Sequence, residues 1–428
     1  MFLFISIYGI VDGFFVSNFT EDIAFAALNL IFPLIMILGA FGFMLGIGGN
    51  AAVSKILGEG DNERANRIFS MLIYVTIAVG VILSVVGMLI AYPVSEFFAS
   101  MEENLSPLER EKLVDYCVIY ARIILAALPA FMLQNAFQGF FVTAEKPKLG
   151  LYVTIAAGCS NMILDALFVV GFQGGLVGAA IATALSQCIG GIIPLFYFFN
   201  KNDSLLQLGE TRLEWRVLGE VCFNGLSELI TNISLSVVTI LYNAQLMRYI
   251  GIDGVSAYGI MNYLGFVFIA VFLGYSVGVS PIIGYHYGAQ NQEELKNVFK
   301  KSFVIIMVAG AVMTLVAVIF ASNLARIFVD EPTLLALTTR GLRLYALGFL
   351  LSGLNIFASS FFTALSNGGL SLLISFFRTF LCQVVAVLAL PLLWEVDGIW
   401  LSSFASELIT LILTETLILS NKKKYGYL

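Results

Sequence analysis

Asn161-Met162-Ile163-Leu164-Asp165 lies inside the largely apolar run LGLYVTIAAGCSNMILDALFVVGF, residues 149–172. As a helix, rising 1.5 Å per residue, such a run crosses the ~30 Å hydrocarbon layer of a membrane. Asn161 and Asp165 are four residues apart, so they stand one above the other on one helix face. A carboxylate at that depth costs several kcal/mol unless it is compensated, which marks it first as a functional position. The competing structural role is a hydrogen bond between neighbouring helices.

The rest of the chain has the same character. Of its 428 residues 59% are hydrophobic and 12% charged, and a soluble chain carries about twice that share of charge. The surplus falls into blocks long enough to span a bilayer. The expected fold is an all-α polytopic membrane protein with twelve transmembrane helices, near 1–19, 23–53, 68–92, 116–143, 149–172, 176–199, 217–249, 255–285, 298–321, 338–364, 370–393 and 397–420. The first block carries Asp12 with no basic segment before it, which argues against a signal peptide. It is also short, so the chain start is expected to fall late in that helix.

Several function classes drop out. The five cysteines (Cys117, Cys159, Cys188, Cys222 and Cys382) show no paired spacing and read as small hydrophobes. A single histidine, His286, excludes a histidine-built metal site. The Gly58-Glu59-Gly60 loop lacks the spacing and lysine of a phosphate-binding loop, so an ion gradient is the expected energy source. No nucleophile–base pair marks an enzyme, and no cofactor is expected.

The polar stretch 200–216 reads as a linker between two lobes, 1–199 and 217–428, the second ending in a short basic tail. Basic residues collect in the loops that share a side with that tail, including Lys55, Arg64, Lys146, Lys201, Lys300 and Lys422–Lys424. This bias places both termini in the cytoplasm. The two lobes also repeat each other. At an offset of about 230, Gly48 meets Gly278, Gly58 meets Gly288, Glu63 meets Glu293 and Phe69 meets Phe299. Later the offset is about 220, with Thr143 opposite Thr363 and Gly178 opposite Gly398, and the acidic hairpin near Glu102 and Glu103 is the expected place of the slip. Two six-helix, pseudo-symmetric lobes follow, the arrangement of a two-lobed transporter.

The acids break this symmetry. Asp12, Asn161 and Asp165 face Tyr242, Leu381 and Val385 at the repeat offsets. Counted along their helices, Asp12, Asp165 and Thr183 sit ~10 Å below the outer surface, with Asn161 one turn deeper. Such a group of hard oxygens suits Na⁺. The two carboxylates could equally share a proton.

Tyr8-Gly9-Ile10-Val11-Asp12-Gly13-Phe14-Phe15-Val16, the Gly58-Glu59-Gly60-Asp61 loop and Asn161 to Asp165 together resemble the multidrug and toxic compound extrusion (MATE) family. The runs Ala257-Tyr258-Gly259-Ile260 and Val279-Ser280-Pro281-Ile282-Ile283-Gly284 are similar to its MepA-like bacterial branch. The resemblance implies lobes around a central cavity and drug efflux driven by Na⁺ or H⁺. It implies a first-lobe cation site of Asp12, Asn161, Asp165 and Thr183, completed by the Ala179 carbonyl. The acid some members carry midway along helix seven has no counterpart here, since Glu228 comes earlier.

The expected function is therefore a multidrug efflux antiporter in the plasma membrane. It would exchange cationic amphipathic drugs for Na⁺ or H⁺, as a monomer in contact with lipid and without nucleic acid. Asn29, Gln134, Gln138, Glu228, Tyr258 and Asn262 are candidates for the substrate cavity. Glu228, Arg378 and Glu407 lie at similar depths and form an expected second-lobe charge group, either a lock between helices or an attraction for cationic drugs. Pro129, Pro194 and the glycine-rich end of the second span are expected bending points. A lipid-linked oligosaccharide flippase is the alternative, but it would need several deep bases, and Arg378 stands alone. A channel fits the two-lobe repeat poorly.

Overall fold

Where the apolar blocks stand, the chain is helical. The computed structural model describes residues 4, 11–13, 15–16, 19–100, 106–329 and 331–427. Most of the expected first span, including Tyr8, Gly9, Ile10 and Phe14, lies outside the described residues, as do Glu102 and Glu103. Val11, Asp12 and Gly13 are helical. Among the described residues ten helices are long and apolar enough to cross a membrane, and a bent pair makes an eleventh span.

The first half comprises α1 (Asp22–Gly58), α2 (Asn62–Ser100), α3 (Pro107–Ala126), α4 (Leu128–Thr143), α5 (Pro147–Asp165) and α6 (Gly175–Phe199). The second half opens with α7 (Trp215–Tyr249), α8 (Ile252–Gly288), α9 (Gln292–Ile319) and the short α10 (Ala321–Arg326). It continues with α11 (Pro332–Tyr345), α12 (Phe349–Ala364), α13 (Gly368–Phe376), α14 (Cys382–Ala389) and α15 (Pro391–Tyr425).

The helix ends carry the repeat. α1 and α8 begin and end at an offset of 230, and α2 and α9 begin at the same offset. Pro107 and Pro332, each at the first helical turn where a missing N–H costs nothing, correspond at 225. Leu128 and Phe349 correspond at 221. The slip is thus shared between the hairpin and the fourth span, because α3 has 20 residues where α11 has 14 and a 3-residue 3₁₀ turn. Matching turns also put one residue in the left-handed region: Gly60 and Gln290, Glu145 and Ser366, Gln173 and Glu395.

Caps fix the helix starts. Ser106 and Glu109 form a capping box on α3, and Glu331 accepts from the Thr333 and Leu334 amides on α11. The fourth span bends by 53° between α3 and α4, at the turn that carries Pro129. α6 runs unbroken through Pro194, and α1 runs unbroken through its glycine-rich end. Those glycines serve close approach instead. A β-carbon on Gly42 or Gly46 would stand 2.7 Å from the Met132 or Ala136 Cα of α4.

Two compact units result, one running to Val53 and resuming at Asp61–Cys222, the other comprising Ser54–Gly60 and Phe223 onward. In the first, Phe69, Phe137, Phe140 and Phe198 pack ring on ring, with Phe69–Phe140 centroids 4.9 Å apart. In the second, Phe299 meets Phe361 at 4.9 Å, and Tyr427 closes the cluster at 5.1 Å from Phe299. The polar stretch after α6 is docked on the first unit. The Gln207 amide donates to Asn66 Oδ1 at 2.7 Å, the Gly209 amide to Ser70 Oγ at 3.0 Å, and Leu206 is buried. The outward faces of α2 and α9 carry exposed Ile82, Val85, Leu89, Val304, Val308 and Leu315, as surfaces in contact with lipid tails require. The protein is a multi-pass membrane protein.

Candidate cation site

Asp165 ends α5, and the chain continues through one π-helical segment, Ala166–Gly171. Such single turns are rare in helices and recur at functional positions. Asp165 has 0% and Asn161 1% of its surface exposed. Asn161 points toward α6, where its Nδ2 donates to Thr183 Oγ1 at 3.5 Å. Asp12 comes from the helical turn 11–13 that precedes α1, and its carboxyl is near Asp165 and Thr183. The four side chains singled out in the sequence therefore meet at one place in the first unit. Ala179 is buried one helical turn before Thr183.

The oxygens there are short of donors. Asp12 Oδ1, Asn161 Oδ1 and both Asp165 carboxylate oxygens have no hydrogen-bond partner. Facing acceptors repel in a low-dielectric site unless a proton or a cation stands between them. Among the described residues no three His, Cys, Asp or Glu side chains gather as a metal centre would need. Two carboxylates with neutral oxygens around them fit a proton or a small monovalent cation, with Asp12, Asn161, Asp165 and Thr183 as its holders.

Tyr120 of α3, buried beside both carboxylates, escaped the sequence reading. A tyrosine in an apolar span reads as packing, and only its repeat partner Tyr345 could have drawn attention to it. At the corresponding place the second unit is neutral and closed. Tyr242, the partner of Asp12, is 1% exposed and stacks on Tyr258 with ring centroids 4.5 Å apart. Ser402 donates to the Ile399 carbonyl at 2.6 Å, so the Tyr242 hydroxyl donates to Ser402 Oγ, also at 2.6 Å, and accepts from Gln383.

The other candidates separate. Arg378 Nε donates to Glu407 Oε1 at 2.9 Å, while Glu228, half-buried on α7, makes no ion pair with either. Three of the cavity candidates are buried within their own units. Gln134 and Gln138 are buried in a crevice beside Phe137, Phe141, Thr154 and Gly190 within the first unit, where close glycines leave room for amides between helices. Tyr258 lies in the second unit's core, drawn there by its stack on Tyr242. Asn29 is exposed and its amide returns to the Phe25 carbonyl at 3.0 Å. Asn262 is half-buried within reach of Tyr258.

With this geometry in view, comparison with known proteins gives a consistent answer. The multidrug export protein MepA of Staphylococcus haemolyticus is 25% identical over 363 residues, covering 85% of this chain and 78% of its own length. MepA of Staphylococcus saprophyticus is 23% identical over 395 residues, covering 92% and 84%. Two solved structures share the fold: an outward-facing multidrug resistance MATE family transporter of the MOP superfamily (TM-score 0.88, 21% identity, 99% of this chain and 94% of that one) and MATE in the straight conformation (TM-score 0.89, 21% identity, 99% and 95%). The model of the MatE family matches residues 1–167 and 228–388. Since that match runs through both halves of the repeat, the chain belongs to the MatE family of membrane transporters.

Proposed function

We propose that this transporter exports cationic amphipathic compounds from the cytoplasm in exchange for Na⁺ or H⁺, and that Asp12, Asn161, Asp165 and Thr183 hold the coupling ion. The observation that carries the reading is the set of unpartnered carboxylate oxygens, which among the described residues belong to Asp12 and Asp165 of the first unit. An ion entering from outside cancels one of the two negative charges and stands between the carboxylates, and an emptied site leaves them repelling. The ion therefore binds the two states of an alternating-access cycle with different affinity, which is all that coupling requires. The Ala179 carbonyl completes the ligand set, and Tyr120 walls the site from lipid. Drug efflux by relatives named multidrug export protein supports the substrate class. The basic loops and the Lys422–Lys424 tail support a plasma-membrane protein with both termini in the cytoplasm, working as a monomer.

A flippase for lipid-linked sugars would need free cationic groups for a pyrophosphate, and the deep base Arg378 is held by Glu407. The test is ethidium efflux from cells lacking their own exporters. Cells making the protein are expected to empty ethidium faster than controls, and to stop when the ion gradients are collapsed. Equal efflux with and without the protein, under every gradient, would remove the export reading.

A further inference from the structure

Well inside apolar spans of the second unit stand Glu228 on α7, Glu407 on α15, and Arg378 in the π-helical segment Phe377–Leu381 between α13 and α14. They are unequally paired. Arg378 Nε donates to one Glu407 oxygen at 2.9 Å, and the Asn355 amide donates to the other at 2.8 Å. Asn355 is fixed in turn, because the same amide reaches the Glu407 carbonyl at 2.9 Å and its oxygen accepts from Thr414 at 2.8 Å. Ser406 Oγ donates to the Arg378 carbonyl at 3.1 Å. Glu407 is thus satisfied on both oxygens and almost closed to solvent. Glu228 feels the Arg378 charge but stands beyond ion-pair distance, and it is the more open of the two acids. The group holds one carboxylate more than it holds bases.

We propose that Arg378 is a specificity-determining residue of export, a tethered cation that competes with cationic substrates for Glu228 and that Glu407 and Asn355 hold back. This rests on the export reading above. A guanidinium near a carboxylate in a low-dielectric interior keeps its charge and repels an incoming cation. While Glu407 holds Arg378, Glu228 keeps a net attraction for a singly charged, bulky cation. Once released, Arg378 neutralises Glu228, and the site no longer favours charged over uncharged compounds. The pair therefore sets charge preference by competition, without touching the ligand.

The test uses the purified full-length protein and two probes of similar shape, the cation tetraphenylphosphonium and the uncharged triphenylphosphine oxide. Glu407→Gln is expected to weaken tetraphenylphosphonium binding about tenfold and leave the neutral probe unchanged. Adding Arg378→Gln to that variant removes the competitor and is expected to restore cation binding to at least the wild-type level. Equal losses for both probes, no loss in Glu407→Gln, or a double variant no better than the single one would each overturn the proposal. Transport is read separately in vesicles. Charge-selective binding without movement of either probe contradicts export and leaves this assignment standing, whereas movement with charge-blind binding does the reverse.

Discussion

Thr183 is the residue on which the proposed cation site turns, since its hydroxyl accepts from Asn161 and lies within reach of Asp12. Removing it takes one hard oxygen from the coordination set and leaves both carboxylates. Thr183→Ala is expected to raise the driving-ion concentration for half-maximal efflux about tenfold while the maximal rate is kept. An unchanged ion dependence would exclude the hydroxyl as a ligand. At this scale the sequence was informative where polarity conflicts with surroundings. Asp12, Asn161 and Asp165 were legible because lipid penalises them. Tyr120 and Asn355 were not, because a tyrosine or an asparagine in a span is ordinarily packing, and only three-dimensional proximity separates the exceptions. The same ambiguity applies to Gln134 and Gln138, whose amides are buried between helices.

At the scale of helices, the repeat was legible through loops and glycines, and the structure adds why two of those glycines are needed. A β-carbon on Gly58 would stand 2.0 Å from the Tyr285 carbonyl oxygen, and one on Gly288 would stand 2.0 Å from that of Lys55. Gly58 and Gly288, like Lys55 and Tyr285, are repeat partners, so the ends of α1 and α8 cross through two reciprocal contacts. Backbone cannot yield as a side chain can. Gly58→Val is expected to destabilise the protein by about 1–3 kcal/mol or more, read as a lower melting temperature in detergent. Gly219→Ala, with open space around it, is expected to leave that temperature unchanged or slightly raised. Equal melting temperatures for wild type and Gly58→Val would mean that the crossing is looser than described.

The segment after α6 reads as a linker between lobes because it is polar, and its Gln207 and Gly209 amides are bonded to α2. Lys146 Nζ to Asp203 Oδ2, at 2.8 Å, ties down its start. The hydrogen bond from Lys146 holds the Asp203 carboxyl below its ordinary range, and the same bond raises the Lys146 ammonium above its own. The contact is therefore at full strength from above the ordinary carboxylate range to below the ordinary lysine range. It fades as pH falls through the depressed Asp203 value or rises through the raised Lys146 value. Asp203→Asn is expected to speed amide exchange at 204–209 at neutral pH, with wild type and variant converging once acid protonates Asp203. Equal exchange at neutral pH would show that the amide bonds to α2 suffice.

At the scale of the whole molecule, two halves with the same helix plan carry different chemistry. Among the described residues the first unit gathers the unpartnered carboxylate oxygens, while the second fills the matching place with the Tyr242–Tyr258 stack and pairs Arg378 with Glu407. Helix positions, membrane class and the asymmetry of the acids could be read from the chain, because apolar block length and buried charge are strong signals in lipid. The partition of the second-half charges could not, since depth along a helix says nothing of the direction a side chain takes around it. The proposed coupling site lies in the first unit. The most direct test is ethidium transport by wild type and Asp165→Asn in proteoliposomes, with the Na⁺ and pH gradients imposed independently. Wild type is expected to accumulate or expel dye under one of the two gradients, and Asp165→Asn, inserted to the same level, to lose that response by at least about tenfold. A variant that follows the gradient as the wild type does would place the coupling site elsewhere.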